Sequence, residues 1–164
     1  MKILITGGKS AATLKLLKAF ADDDILLADY GDMPSFSSAA YQMHSLGTRN
    51  DDTTAHTLLN NCLDEGVEMI LPLHTFEIEA VSRSIVLFEE FGISVLLPEI
   101  NKLDQYLSTE KQTGDWAIYR DGMLLFSSNP SDEQALIGKE AGLNGAFYIN
   151  AGTSGLEPVL FTIN

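Results

Sequence analysis

The chain has 164 residues, of which 45% are apolar and 20% charged, a composition typical of one soluble globular domain with a small appendage. Its net charge of −13 argues against nucleic acid and anionic membranes as partners, because both are bound by clustered basic residues and the ten Lys and Arg residues here are scattered. The single cysteine, Cys62, excludes an internal disulfide, and no apolar run has the length of a leader core or a membrane span, which predicts a cytoplasmic protein.

The first 99 residues alternate between short apolar runs and segments with helical spacing. The first run ends at Gly7-Gly8, the helix after it is predicted to bury Leu14, Leu17 and Ala21, and Gly66 is expected to end a later helix. Pro98 closes the last run. We predict an α/β fold with a doubly wound, Rossmann-like parallel sheet. Its five strands are predicted at Lys2–Thr6, Ile25–Ala28, Met43–Leu46, Val67–Leu73 and Ile93–Leu97.

Residues 100–164 have a different pattern, which predicts a small α+β tail. One helix is predicted over Asn101–Gln112, and Arg120-Asp121-Gly122 forms a good turn for a β-hairpin. Ser131 is a candidate cap for a helix that Gly142 ends. Two further strands are expected beyond that helix, so antiparallel pairing is predicted for the tail.

The loop after the first strand is the first candidate for ligand binding. Gly7, Gly8, Lys9 and Ser10 come between a buried strand and a helix, where backbone amides can hold an anion. The spacing is neither that of a P-loop nor that of the full dinucleotide fingerprint. A tight turn that needs glycine for its backbone angles explains the same residues equally well.

Polar residues at the ends of two other strands are the remaining candidates. Asp29 ends the second strand, where dinucleotide-binding proteins place an acid on the ribose. Because the full glycine fingerprint is absent, a solvated carboxylate at the end of the strand is the better explanation of Asp29. His74, Glu77 and Glu79 follow the fourth strand, at the sheet edge where open α/β sheets bind ligands. For catalysis by these three residues, capping of the next helix is the better explanation. No spacing indicates a metal site or a nucleophile motif.

These features together resemble the pre-ATP-grasp domain that begins ATP-grasp ligases, with the large subunit of carbamoyl-phosphate synthase as the nearest type. The resemblance is carried by the strand–Gly-Gly–helix unit of Ile3 to Leu17, Asp29, Pro34, the Pro72-to-Glu79 signature, and the strand that ends at Pro98. It implies that this domain packs against an ATP-grasp domain and lends strand-end loops to its substrate side. ATP, magnesium and the acyl-phosphate chemistry belong mostly to the domains that follow.

The chain then departs from that family's pattern. Leu103-Asp104-Gln105 stands where the family has Asp-Lys, and the later nucleotide-binding lysines and metal ligands are missing. About 60 residues follow the first domain, too few for a catalytic ATP-grasp region. We therefore expect no catalytic residues and no cofactor of the chain's own, and ATP and magnesium only through a separately encoded catalytic chain.

Three hypotheses about function follow from these observations. The leading one is a non-catalytic module that holds a small-molecule ligand or assembles with a partner chain. The second is an enzyme of the NAD(P)-binding epimerase or reductase type, suggested by the Ile3-Leu4-Ile5-Thr6-Gly7-Gly8 start and opposed by the lack of a Tyr-x-x-x-Lys pair. The third is a purely structural protomer of a homo-oligomer.

Overall fold

A computed structural model describes all residues from Met1 to Asn164, and they divide into two compact units. The first unit contains Met1–Val95 together with Thr162–Asn164, and the second contains Leu96–Phe161. We predicted the division at residue 99, with every later residue in the tail. The last three residues instead pack with the first unit, at the carboxyl edge of its sheet.

The first unit is built on a five-stranded sheet in which every pairing is parallel. The predicted α/β class is confirmed, because short helical segments connect these strands. Most residues of β1, β2 and β4 are buried, as expected for strands covered on both faces. The elements are β1 (Lys2–Ile5), α1 (Ala11–Leu14), β2 (Asp24–Asp29), β3 (Gln42–Ser45), α2 (Thr54–Glu65), β4 (Met69–Leu71), α3 (Thr75–Arg83), α4 (Ile85–Glu90) and β5 (Ser94–Val95).

The strand order of this sheet is β3-β2-β1-β4-β5. The chain builds outward from β1 to β3 in one direction, and then returns to place β4 on the other side of β1. The neighbouring strands β1 and β4 are therefore followed by connections that leave in opposite directions. Such a reversal opens a crevice at the carboxyl ends of the two strands, where open α/β sheets bind ligands.

The helix after β1 differs from its prediction. It is one α-helical turn that continues as a 3-10 helix over Lys15–Phe20. Its buried residues are Thr13, Leu16 and Phe20, whereas Leu14 is exposed. The hydroxyl of Thr13 donates to the carbonyl of Gly7 at 2.7 Å, which anchors this side of the segment against the loop.

The helical segment after β4 is interrupted. It consists of α3 and α4, which are separated at Ser84. The Ser84 hydroxyl donates to the carbonyl of Ala80 at 3.0 Å, a bond that competes with the regular helical pattern. The predicted end of α2 is confirmed, because Gly66 takes the left-handed conformation with a φ of 67°.

The second unit contains a four-stranded antiparallel sheet in the order β7-β6-β8-β9. The hairpin at Asp121-Gly122 is confirmed, and so is the helix that Ser131 caps and Gly142 ends. The predicted helix over Asn101–Gln112 is wrong. Only Leu103–Gln105 forms a 3-10 turn, since Leu103 and Tyr106 are the segment's buried residues and supply one turn of apolar contacts. The elements are β6 (Trp116–Arg120), β7 (Met123–Ser127), α5 (Asp132–Ala141), β8 (Gly145–Gly152) and β9 (Gly155–Leu160).

Candidate functional site

The carboxyl edge of the parallel sheet brings together candidates from three separate strand ends. The backbone amide of Lys9, in the loop after β1, donates to Oδ2 of Asp29 at 2.9 Å. Nε2 of His74, in the loop after β4, lies 2.8 Å from Oδ1 of the same carboxylate. Asp29, at the end of β2, thus links the loops that follow β1 and β4.

The expectation that Asp29 is a solvated carboxylate is wrong, because the residue is only 5% exposed and both of its oxygens are hydrogen-bonded within the unit. Burial alone raises its pKa, but the hydrogen bond from His74 and the backbone amides of Lys9 and Tyr30 outweigh that effect. The pKa of Asp29 is consequently lowered below its ordinary value of 3.8. A carboxylate with this many donors is a structural anchor, and its two oxygens already have partners.

Glu77 is a second carboxyl group at this edge, and its side chain is fully buried. Its Oε1 accepts from the hydroxyl of Thr6 at 2.6 Å and from the backbone amide of His74 at 3.1 Å. The Thr6 hydroxyl in turn accepts from the amide of Leu73 at 2.7 Å. Burial raises the pKa of Glu77 above its ordinary value of 4.5, and these hydrogen bonds only partly offset that effect.

Tyr30 joins the two carboxyl groups. Its backbone amide donates to Asp29 at 2.8 Å, and its hydroxyl donates to Oε2 of Glu77 at 2.6 Å. Burial and the negative charge of Glu77 both raise the pKa of Tyr30, so the phenol keeps its proton and remains a donor. Thr6, Asp29, Tyr30, His74 and Glu77 form one connected hydrogen-bonding network, which we call the edge network.

A layer of rings covers the edge network. His74 stacks on Phe76 with ring centroids 5.0 Å apart, and Tyr30 packs against both rings. The guanidinium of Arg49 lies over the Phe76 ring, 3.6 Å from its centroid, in a cation–π arrangement. Arg49 also forms a two-point ion pair with Asp51, with distances of 2.7 and 3.0 Å.

The glycine-containing loop after β1 uses its backbone amides inside the protein. Gly8 donates to the carbonyl of Ala28 at 2.9 Å, Lys9 donates to Asp29, and Ser10 donates to the carbonyl of Gly7 at 2.9 Å. A nucleotide phosphate would need these same amides. The residues of this loop therefore do not fit a bound phosphate in the conformation described.

The crevice between the ends of β1 and β4 is filled by the chain itself. Ile163 donates its amide to the carbonyl of Leu73 at 2.8 Å and accepts from the amide of Thr75 at 2.9 Å. These bonds make an isolated parallel bridge between Ile163 and His74. The side chain of Ile163 lies over Gly7, where any β-carbon would collide with it.

Five of the predicted site residues are not members of the edge network, although the backbone amide of Lys9 donates to it. They are Gly7, Gly8, Lys9, Ser10 and Glu79. Glu79 is exposed and pairs with Arg83 at 2.5 Å, one turn along α3. Ser10 precedes α1 without a side-chain hydrogen bond to it. Gly7 and Gly8 are buried, and the Lys9 ammonium donates to the carbonyl of Tyr30 at 2.5 Å.

Four residues that the sequence analysis did not single out have central positions. Thr6 and Tyr30 directly neighbour predicted residues, so a hydroxyl at each strand end was a usable signal. Arg49 and Ile163 are brought in by tertiary folding alone. Nothing in their local sequence marks them.

The reactive side chains elsewhere are in unreactive settings. Burial raises the pKa of Cys62 to about 12, so its thiol is a poor nucleophile. His44 lies 2.8 Å from the amide oxygen of Asn61, in a separate place on the sheet. No group of three or more His, Cys, Asp or Glu side chains is arranged to hold a metal ion. None of the helices is long and apolar enough to cross a bilayer.

No protein-family model matches the chain, and a search of curated proteins found no match.

Proposed function

We propose that this chain is a non-catalytic assembly or ligand-binding module, whose first unit is a doubly wound, Rossmann-like sheet of the pre-ATP-grasp type. The strand order and the polar carboxyl edge support the fold assignment. The module works at that edge, with a partner chain or a small molecule. Any ATP and magnesium chemistry belongs to a separately encoded partner.

One observation carries the proposal: the edge network uses its polar groups on itself. The Asp29 oxygens, the Glu77 oxygens and the amides of Gly8, Lys9 and Ser10 all bond within the unit. A catalytic base must reach a substrate proton, and an oxyanion or phosphate site needs free donors. A self-satisfied edge is poorly suited to reaction chemistry, which is why the proposal is a non-catalytic module.

The test is an assay of the purified chain for ATP hydrolysis and for ligation, with and without magnesium. We expect no turnover above background. Turnover that scales with protein concentration and disappears in the His74→Ala variant would refute the proposal, because it would locate the reaction at this edge. Loss in that variant separates true activity from a contaminating ATPase.

A thermal-shift screen then distinguishes the two kinds of module. The panel contains ATP, ADP, AMP, NAD(P), amino acids and bicarbonate, each with and without magnesium. A ligand at one hundred times its dissociation constant stabilises the folded state by about 2.7 kcal/mol. A shift identifies a ligand-binding module, and a shift with NAD(P) alone would revive the reductase hypothesis. A flat panel favours assembly with a partner chain.

A second candidate function is a structural protomer of a homo-oligomer. It is favoured by β7, an edge strand of the antiparallel sheet on which Met123 is 66% exposed and Leu125 is also exposed. Exposed edges pair readily with other chains. Sedimentation at micromolar concentration tests this function, and a purely monomeric chain would contradict it.

A further inference from the structure

The segment Thr162–Asn164 occupies the crevice in the manner of an added strand. The amide of Ile163 donates to Leu73 at 2.8 Å, and its carbonyl accepts from the amide of Thr75 at 2.9 Å. The amide of Leu73 points to the Thr6 hydroxyl on the β1 side, so its carbonyl faces that side as well. Ile163 therefore continues the sheet at the place where β1 has turned away.

The Ile163 side chain packs in an apolar seat, by which we mean the space over Gly7, and this space exists because glycine has no side chain. A β-carbon on Gly7 would lie 2.2 Å from Cδ1 of Ile163, far inside van der Waals contact. Gly7 also has a φ of 76°, which disfavours other residues. With Gly7 beneath it, Ile163 is only 9% exposed.

The hydroxyl of Thr75 adds a contact with Asn164, the residue after Ile163. Oγ of Thr75 lies 3.0 Å from the carbonyl of Ile163 and 2.8 Å from Oδ1 of Asn164. The crevice thus offers a backbone acceptor, a backbone donor, a hydroxyl and an apolar seat. These groups match an extended peptide with a branched aliphatic side chain, whereas the nearby amides of the glycine loop are engaged elsewhere.

We propose that the crevice between β1 and β4 is a binding site for an extended peptide of a partner chain, held closed here by the chain's own Thr162–Asn164. The inference rests on the proposed assembly function and names the partner's chemistry. Partner and internal segment compete for Leu73 and Thr75, so the internal segment lowers the partner's apparent affinity. The sequence of Thr162–Asn164, with its isoleucine, therefore indicates the kind of peptide that the site accepts.

The experiment uses the full-length, ¹⁵N-labelled Ile163→Asp variant, whose charged side chain cannot occupy the apolar seat. The probe is a synthetic peptide with the sequence of residues 160–164, and the control peptide has aspartate in place of its isoleucine. The readout is amide hydrogen exchange at Thr75, the donor that Ile163 protects. We expect the isoleucine peptide to slow this exchange by about tenfold or more, as re-burial of one isoleucine side chain predicts. The control peptide should have no effect.

A blocked seat provides the matched control. Gly7→Ala, added to Ile163→Asp, should abolish peptide binding because the new β-carbon fills the seat. Gly92→Ala carries the same backbone penalty, with a φ of 76°, but its β-carbon meets nothing within 4 Å, so binding should survive. If Ile163→Asp does not fold, Ile163→Ala replaces it in every arm.

Two outcomes overturn the inference. One is unchanged Thr75 exchange at millimolar isoleucine peptide. The other is protection by unlabelled wild-type chain but not by peptide, which would identify a second copy as the occupant. Neither outcome affects the proposed function, which fails only if the purified chain turns over ATP or ligates.

Discussion

The two units of this chain bury polar groups in opposite ways. In the parallel-sheet unit the buried polar groups include two carboxyls, Asp29 and Glu77, which are tied to His74 and Tyr30. In the antiparallel unit they are neutral: the Ser127 hydroxyl bonds the amide side chain of Gln134, and the hydroxyl of Tyr119 donates to the carbonyl of Gln134 at 2.9 Å. A neutral network fastens α5 to its sheet at little electrostatic cost. A buried carboxyl is costly and needs several partners.

Each unit also has its own reporter. Cys62 is the chain's single cysteine and lies buried in α2 of the first unit, whereas Trp116 is its single tryptophan and lies in β6 of the second. Thiol labelling during denaturation therefore follows the first unit, and tryptophan fluorescence follows the second.

The largest effect is expected for Glu77→Ala. It removes a buried side chain and leaves the Thr6 hydroxyl, the Tyr30 hydroxyl and the His74 amide without their acceptor. We expect a loss of about 3 kcal/mol in the free energy of unfolding, measured from Cys62 labelling in a urea series. Glu79→Ala, on the same helix but exposed, should change it by no more than about 0.5 kcal/mol. Equal effects of the two variants would contradict the structural role of the edge network.

The next largest effect is expected for Gly138→Ala in α5. Alanine normally stabilises a helix interior relative to glycine by about 1 kcal/mol. Here the added β-carbon would lie 2.5 Å from the ring of Tyr119, which is fully buried and hydrogen-bonded to Gln134. We expect the sign to reverse, with a loss of about 2 kcal/mol seen by Trp116 fluorescence. Leu136→Ala, at an exposed position of the same helix, serves as the control, and a stabilising Gly138→Ala would refute this packing.

A smaller effect is expected for Ser127→Ala. It removes the donor to the Gln134 side chain and leaves a buried amide oxygen unpaired, at a cost of about 1 kcal/mol. Because neither partner titrates, the loss should be the same at pH 5 and pH 8 in fluorescence-detected unfolding. A pH-dependent loss would indicate that a charged group takes part.

The smallest effect is expected for Glu77→Gln, and it concerns the pH dependence of stability. The folded-state pKa of Glu77 is raised above 4.5, so the folded chain binds more protons than the unfolded chain just above that pH, and stability falls as the pH rises. The lowered pKa of Asp29 acts in the opposite sense: its contribution is present above pH 3.8 and is lost on acidification. Glu77→Gln should therefore gain in Tm relative to the wild type between pH 4.5 and neutrality. A constant difference in Tm over that range would show that Glu77 does not titrate there.

The features that were predicted correctly from the sequence are those whose conformation depends only on residues close to them in the chain. Gly66 ends α2 and Asp121-Gly122 forms the hairpin because each conformation depends on a few neighbouring residues. The helix predicted over Asn101–Gln112 failed because its apolar residues cover a single turn. The residues predicted to be buried in the helix after β1 were also wrong. The side that packs inward is the one on which the Thr13 hydroxyl bonds the carbonyl of Gly7.

The candidate site also has one part that the sequence predicts and one part that depends on the folded structure. Asp29 and His74 were placed at one edge because parallel strands put their carboxyl ends together. Their direct contact, and the burial of Glu77, depend on the rotation of side chains in the folded unit. The contact of Thr75 with Ile163 spans 88 residues, and no local pattern at either residue specifies the other.

That long separation has a consequence for the order of synthesis. On the ribosome the residues of β1 to β5 are made first, and domains generally fold as their residues emerge. The carbonyl of Leu73 and the amide of Thr75 remain bonded to water until Ile163 has been made. Until Ile163 has emerged, therefore, the nascent parallel-sheet unit presents an open crevice to any neighbouring chain, and a co-translationally assembling partner would meet it before its internal competitor exists.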